Sequence, residues 1–277
     1  MPFLKALTIA GSDSSGGAGI QADLKTFAAL GIYGTSAITA VTAQNALRID
    51  ALTCLPVSLV VSQIRSVLSH IGAEAIKTGM LGGPEIIQGI ASSLSRYPSI
   101  PLVVDPVMAA TSGSALLQKS SLEVLRHRML PLARIVTPNL PEAEALVGSR
   151  LRDESDCIRA AREIHGMGPG WVVLKGGHRR DVGSGHAGAR EVVDLVYDGS
   201  EIHRVAGPYL HGGPKQGTGC TYSAAIAAFL AKGHPELEAV HAAREYLSGT
   251  WRSSGESGQA GGPLHHFHEF WLKSGDG

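Results

Sequence analysis

The chain has 277 residues, 44% of them hydrophobic, and its 24 basic side chains are matched by 24 acidic ones. That length and apolar content can bury a large core, and the reading is one α/β domain over residues 1–277. Zero net charge leaves no broad field to attract nucleic acid or an anionic membrane, so any bound anion must be held by a local site.

Short apolar runs of β character alternate along the chain with stretches of helical period, the pattern of parallel strands joined by crossover helices. Ala6 to Ala10 reads as a first strand. Ile20, Leu24 and Phe27 follow at helical spacing, Gly31 closes that helix, and Thr35 to Val41 reads as a second strand. Val60, Ile64, Val67 and Ile71 form the next helical stripe, which ends at Gly72 and leads into a strand over Ala73 to Thr78. Pro84 opens a helix carrying Ile87, Ile90 and Leu94. Pro101 to Pro106 is a buried strand with a carboxylate, Asp105, at its C-terminal end. Arg134 to Thr137 and Trp171 to Lys175 continue the alternation. Glu191 to Tyr197 and Glu201 to Val205, joined through Asp198-Gly199, break it and predict an antiparallel hairpin on one edge of the sheet. The polar, glycine-rich segment 179–188 predicts a mobile loop. Phe267, Phe270 and Trp271 predict a C-terminal segment docked on the core, a better use of His265, His266 and His268 than a metal site.

Cys54, Cys157 and Cys220 lie far apart with no C-x-x-C, which argues against a disulfide framework or a structural zinc and predicts a reducing cytoplasm. The first residues lack a charged leader with an apolar run, and no apolar run reaches about 18 residues, so a soluble, unprocessed chain is expected.

Parallel sheets place ligands beyond the carboxyl ends of their strands. Asp13, Gln44, Asp105, Asn139 and Lys175 are the polar residues predicted there. Gly217-Thr218-Gly219-Cys220 precedes an apolar small-residue helix, and glycines that bare N–H groups at a helix mouth suit an anion. A cysteine in that mouth is expected to have a lowered pKa. These four residues alone fit equally a glycine turn before a core helix with an inert thiol. Gly11 to Gly19 is glycine-rich, but its spacing is not that of a dinucleotide loop, and no lysine stands in a G-K-[ST] order. Asp105, Glu142 and Lys175 offer carboxylates for a hydrated magnesium ion and a cation for a phosphate tail. Asp105 has a plainer use as a cap for the next helix, and Glu142 as an acid in a helix's first turn. Together with the downstream loop they favour phosphoryl transfer.

The stretches Ala10 to Asp23, Val41-Thr42-Ala43-Gln44-Asn45, Lys77-Thr78-Gly79-Met80-Leu81, Asp105-Pro106-Val107-Met108, Thr137 to Ala143 and Gly217 to Cys220 resemble the hydroxymethylpyrimidine and phosphomethylpyrimidine kinases of thiamine synthesis. The resemblance runs from about residue 5 to residue 272. It implies a ribokinase-like three-layer α/β/α fold with a mainly parallel sheet and an antiparallel edge hairpin. It also implies ATP as co-substrate, magnesium, an aminopyrimidine acceptor and a homodimer. By position, Gln44 would read the aminopyrimidine edge, with Gly11, Ala18, Met80 and Val107 around the ring. Asp105 and Glu142 would lie by magnesium, and Asn139 and Lys175 by the ATP phosphates. Gly217, Thr218 and Gly219 would lie under the transferred phosphoryl group, with Cys220 as base. The second acceptor of such a kinase, a phosphate monoester, arrives already ionised, so Cys220 is expected to matter mainly for the first transfer. The chain departs from its relatives in carrying Lys215-Gln216 before the loop, where they usually have Thr-His. A pyridoxal kinase of the same fold and a pyrimidine-binding protein without turnover are the alternatives.

Overall fold

The computed structural model describes residues 3–108, 119–176, 191–209, 215–254 and 262–271. Nine strands form a single sheet: β1 (Lys5–Asp13), β2 (Tyr33–Gln44), β3 (Ile49–Cys54), β4 (Ala75–Thr78), β5 (Leu102–Val104), β6 (Ile135–Val136), β7 (Trp171–Leu174), β8 (Glu191–Tyr197) and β9 (Ile202–Pro208). Their order is β3-β2-β1-β4-β5-β6-β7-β8-β9. The six strands β2-β1-β4-β5-β6-β7 run parallel, while β3 on one edge and β8 and β9 on the other run antiparallel to their neighbours.

Side chains alternate across this sheet, and each face buries its own cluster. Leu7, Ile9, Ile76, Leu102, Val104, Val136, Val172 and Leu174 point to one face. There they meet α2 (Val57–Ser66), α3 (Pro84–Leu94), α5 (Leu140–Val147) and α6 (Glu154–His165), together with Leu125 and Met129, which follow the short α4 (Lys119–Val124). Ala6, Ala75, Val103, Ile135 and Val173 point to the other face, against α1 (Gly19–Ala29), α7 (Thr218–Ala231) and α8 (Glu236–Ser253). Both faces are covered, so the central strands β4 to β7 are apolar nearly throughout. Lys77 is the exception, a charged side chain with no exposure in the middle of β4.

The predicted parallel strands are present, and β8 and β9 form the predicted edge hairpin. Three expectations need correction. The sequence reading placed no strand at Ile49–Cys54, yet β3 pairs with β2 and makes the opposite edge antiparallel too. Its residues are mostly exposed, so it has no apolar alternation to detect. Of the three aromatics predicted to dock the C-terminal segment only Phe267 packs against the core; Phe270 and Trp271 are 64% and 63% exposed, with Trp271 stacked on Phe267 at 5.0 Å. The third correction concerns Cys220 and is described with the site. Segment 179–188, predicted as a loop, lies outside the described residues.

No helix among the described residues is long and apolar enough to cross a membrane.

Candidate active site

The sequence places glycine loops at the starts of α1 and α7, and the fold brings the two loops together. After β1 the chain turns through residues 13–18. Asp13, nearly fully buried, folds this turn about its carboxylate: Oδ1 accepts from the Ser15 N–H and hydroxyl, and Oδ2 from the N–H groups of Gly17 (3.1 Å) and Ala18 (2.7 Å). The carboxylate thereby pairs the N–H groups of the loop leading into α1, whose N-cap, Ala18, makes no side-chain cap bond. Gly11 lies just before, its N–H donating to the Met80 carbonyl and its Cα packed against the Met80 side chain. Gln44, at the end of β2, is joined to the same turn by Ser14, whose Oγ donates to its carbonyl and accepts from its N–H. The four predicted ring residues Gly11, Ala18, Gln44 and Met80 therefore rim one loop. The fifth, Val107, stands half-buried two residues beyond Asp105.

At the other strand ends, Lys175 organises the charges. Its Nζ lies 2.9 Å from Asp105 Oδ1 and 3.9 Å from Glu142 Oε2. Asp105 also accepts from Thr137 Oγ1 on Oδ1 and from Ser223 Oγ on Oδ2. Burial pushes the Asp105 carboxyl up, but the ammonium groups of Lys175 and Lys77 outweigh it and hold it below the usual carboxylate range. Glu142 goes the other way: burial raises it to about 7, with Asp105 adding and Lys175 opposing. Asn139 is the N-cap of α5. Its side chain accepts from the Glu142 N–H while Glu142 Oε2 accepts from the Asn139 N–H, a reciprocal capping box. Two predicted phosphate and metal residues thus also start a helix.

The loop 217–220 closes the site. Gly217 caps α7 without a side chain, so the first N–H groups of that helix find no side-chain acceptor there. Its φ of 79° and its packing against the Gly17 carbonyl both require glycine. The space beside Gly219 opens toward the charges, since a Cβ there would sit 3.4 Å from Lys175 Nζ and 3.8 Å from Asp105 Oδ2. Helix N–H groups and the partly buried ammonium of Lys175 facing one small gap make a site for a phosphoryl group.

Cys220 contradicts its expectation. Burial pushes its thiol up to about 11 rather than down; the ammonium of Lys77 and the N–H of Gly19 oppose this, and Asp23 and Asp105 reinforce it. The helix mouth is present, but the desolvation cost of a thiolate exceeds what it supplies.

The sequence reading gave no role to the pair under this loop. Lys77 Nζ is 2.9 Å from both oxygens of Asp23, neither side chain has any exposure, and Thr8 Oγ1 donates to Asp23 at 2.6 Å. A signal existed: Asp23 stands among Ile20 and Phe27 on the buried face of α1, and Lys77 interrupts an apolar strand. His266, one of the three C-terminal histidines, is buried against Thr221 Oγ1 at 3.0 Å, and burial lowers it to about 4. Among the described residues no group of three or more His, Cys, Asp or Glu is arranged to hold a metal. A cavity of about 590 Å³ between the end of β9 and α8, lined by Gly207, His241, Arg244 and Glu245, includes none of the predicted site residues.

A family model described as phosphomethylpyrimidine kinase matches residues 13–265. The chain belongs to that family. It is 46% identical over 260 residues to the hydroxymethylpyrimidine/phosphomethylpyrimidine kinase of Streptomyces coelicolor, covering 94% of this chain and 93% of that one. It is 44% identical over 265 residues to the thiamine biosynthesis bifunctional protein ThiED of Geobacter sulfurreducens, covering 96% of this chain but only 52% of that longer protein. Among solved structures, the pyridoxal kinase from Staphylococcus aureus in complex with ADP superposes with a TM-score of 0.86 at 36% identity, over 98% of this chain and 96% of that one. The phosphomethylpyrimidine kinase family thus shares the ribokinase-like layering and sheet described above with a pyridoxal kinase.

Proposed function

We propose that the two glycine loops and the Lys175 cluster phosphorylate 4-amino-5-hydroxymethyl-2-methylpyrimidine with ATP, first on its hydroxyl to the monophosphate and then on that phosphate to the diphosphate. Membership of the family makes the chain a kinase of thiamine biosynthesis. The observation that carries the site assignment is the gap at Gly219, bounded by the start of α7, Lys175 and Asp105. ATP as donor is supported by the ADP complex of the Staphylococcus aureus relative.

In the first transfer the acceptor oxygen attacks the γ-phosphorus, the P–O bond to the β-phosphate breaks, and ADP departs. Lys175 and the N–H groups of residues 218–220 offset the charge on the moving phosphoryl oxygens. Cys220 accepts the hydroxyl proton as thiolate, a minor form near neutrality, so positioning contributes more than the base does. Gln44 offers a donor and an acceptor side by side, suited to a ring nitrogen next to an exocyclic amine. Asn139 lies with Lys175 on the ATP side. Asp105 and Glu142 are hard oxygen donors that suit magnesium. Both Asp105 oxygens already accept hydrogen bonds, so Asp105 and Glu142 would hold the ion through its water shell. When bound, it would supply positive charge to offset that of the phosphates.

A cytoplasmic location and a homodimer belong to the same reading; Val41 and Leu52, exposed on the β2–β3 edge, support the dimer. Product analysis with the pyrimidine alcohol, magnesium and ATP tests the function: monophosphate followed by diphosphate is expected, and no ATP consumption overturns it. The likeness to a pyridoxal kinase favours one second reading. Pyridoxal in the same assay decides between them by the larger kcat/KM.

A further inference from the structure

Gln216 is the side chain through which the two glycine loops are tied. It is 4% exposed and immediately precedes Gly217. Its Nε2 donates to Asp13 Oδ2 at 2.9 Å and lies 3.3 Å from Ser15 Oγ. Asp13 already gathers the N–H groups of Ser15, Gly17 and Ala18. One carboxylate therefore holds the ring-side loop and, through Gln216, the phosphoryl-side loop. The contact is close-packed, since a Cβ on Gly17 would meet Gln216 Oε1 at 2.6 Å and one on Gly217 would strike the Gly17 carbonyl. Ser15 Oγ also donates to Gln216 Oε1 at 3.4 Å, a further bond between the two loops.

We propose that Gln216 is a positioning residue that sets the distance between bound acceptor and transferred phosphoryl group by tying residues 13–18 to residues 217–220, an inference that rests on the kinase reading above. Gly11 bonds the Met80 carbonyl and Gln44 bonds Ser14, neither through Gln216. Its loss should therefore leave the acceptor bound but misplaced relative to the γ-phosphate. Misplacement of about 1 Å costs on the order of a hundredfold in rate. The amide makes the tie without a titrating proton.

The test uses the full chain with two variants. Gln216→Ala should lower kcat with the pyrimidine alcohol by about 10- to 100-fold while KM for the alcohol stays within about threefold. Gln216→Glu keeps the shape but sets a second carboxylate on Asp13, so the two must share a proton to stay together. Among the described residues, Lys25, whose Nζ donates to the Gly16 carbonyl, and Lys215, which adjoins Gln216, bring charge near this loop and are common to all three proteins. The ratio of Gln216→Glu to wild-type kcat should fall as pH rises from about 5.5 to 8, which a merely structural loss would not produce. Unchanged kcat in Gln216→Ala, or a pH-independent ratio in Gln216→Glu, overturns the proposal. Should the wild type turn over no pyrimidine, the kinase reading fails, and hydrogen exchange judges the tie separately. Gln216→Ala should then speed exchange at Gly17 and Ala18, and unchanged exchange there overturns it.

Discussion

Cys220 sits where α7 begins and near the first N–H of α1, yet it holds its proton more tightly than a free thiol because its burial outweighs both helix starts and the ammonium of Lys77. A base so rarely ionised near neutrality can matter only where the acceptor itself carries a proton. Cys220→Ala is expected to slow the first transfer by at least about tenfold and the second by less than threefold, the range of a single general base at the low end; separate kcat values for alcohol and monophosphate check this, and equal losses would sink it. Lys77 and Asp23 are a different case. Each is wholly buried and each is the other's partner, so removing one strands a charge. Lys77→Met should lower the unfolding free energy by about 3 to 5 kcal/mol in urea titration, and Lys77→Met with Asp23→Leu should recover much of that loss. Recovery would mark the pair as a matched substitution for apolar packing.

At the scale of elements, α7 shows why a glycine loop and a helix form one device. Gly217 takes a left-handed φ and lies against the Gly17 carbonyl, so Gly217→Ala strains the backbone and pushes the two loops apart. Turnover should fall by about a hundredfold or more, while near-ultraviolet circular dichroism stays close to wild type; retained turnover would show that the loops tolerate separation. The parallel strands were legible because β1, β4, β5 and β7 are buried on both faces, and buried strands write themselves as apolar runs. β3 was not legible, because pairing with β2 asks little of the side chains on an exposed edge. Strand-end Asp105, Asn139 and Lys175 were readable from position alone. The raised thiol of Cys220 and the Gln216 tie were not, since each depends on which distant segment packs alongside.

For the whole molecule, buried titrating groups couple the site to stability. The Glu142 carboxyl is raised to about 7 from 4.5, so between those values the folded chain binds more protons than the unfolded one. Stability from this group therefore declines as pH rises from about 4.5 to 7. His266, lowered to about 4, acts oppositely: the unfolded chain binds the extra proton below 6.5, and stability declines as pH falls. Comparison with Glu142→Gln isolates the first effect. Without magnesium, the Tm difference, variant minus wild type, should grow as pH rises from 4.5 to 7, and a flat difference would refute the assignment. The Asp13 to Gln216 contact has one more consequence, for the order in which the molecule is made. It joins residues 203 apart, with most of the sheet's strands between them. Contacts of such sequence separation form late, after the loop-closure entropy has been met. A chain still leaving the ribosome can therefore build the acceptor's side of the site, but it has no phosphoryl loop until α7 is made. The kinase site cannot begin to act before α7 has been made.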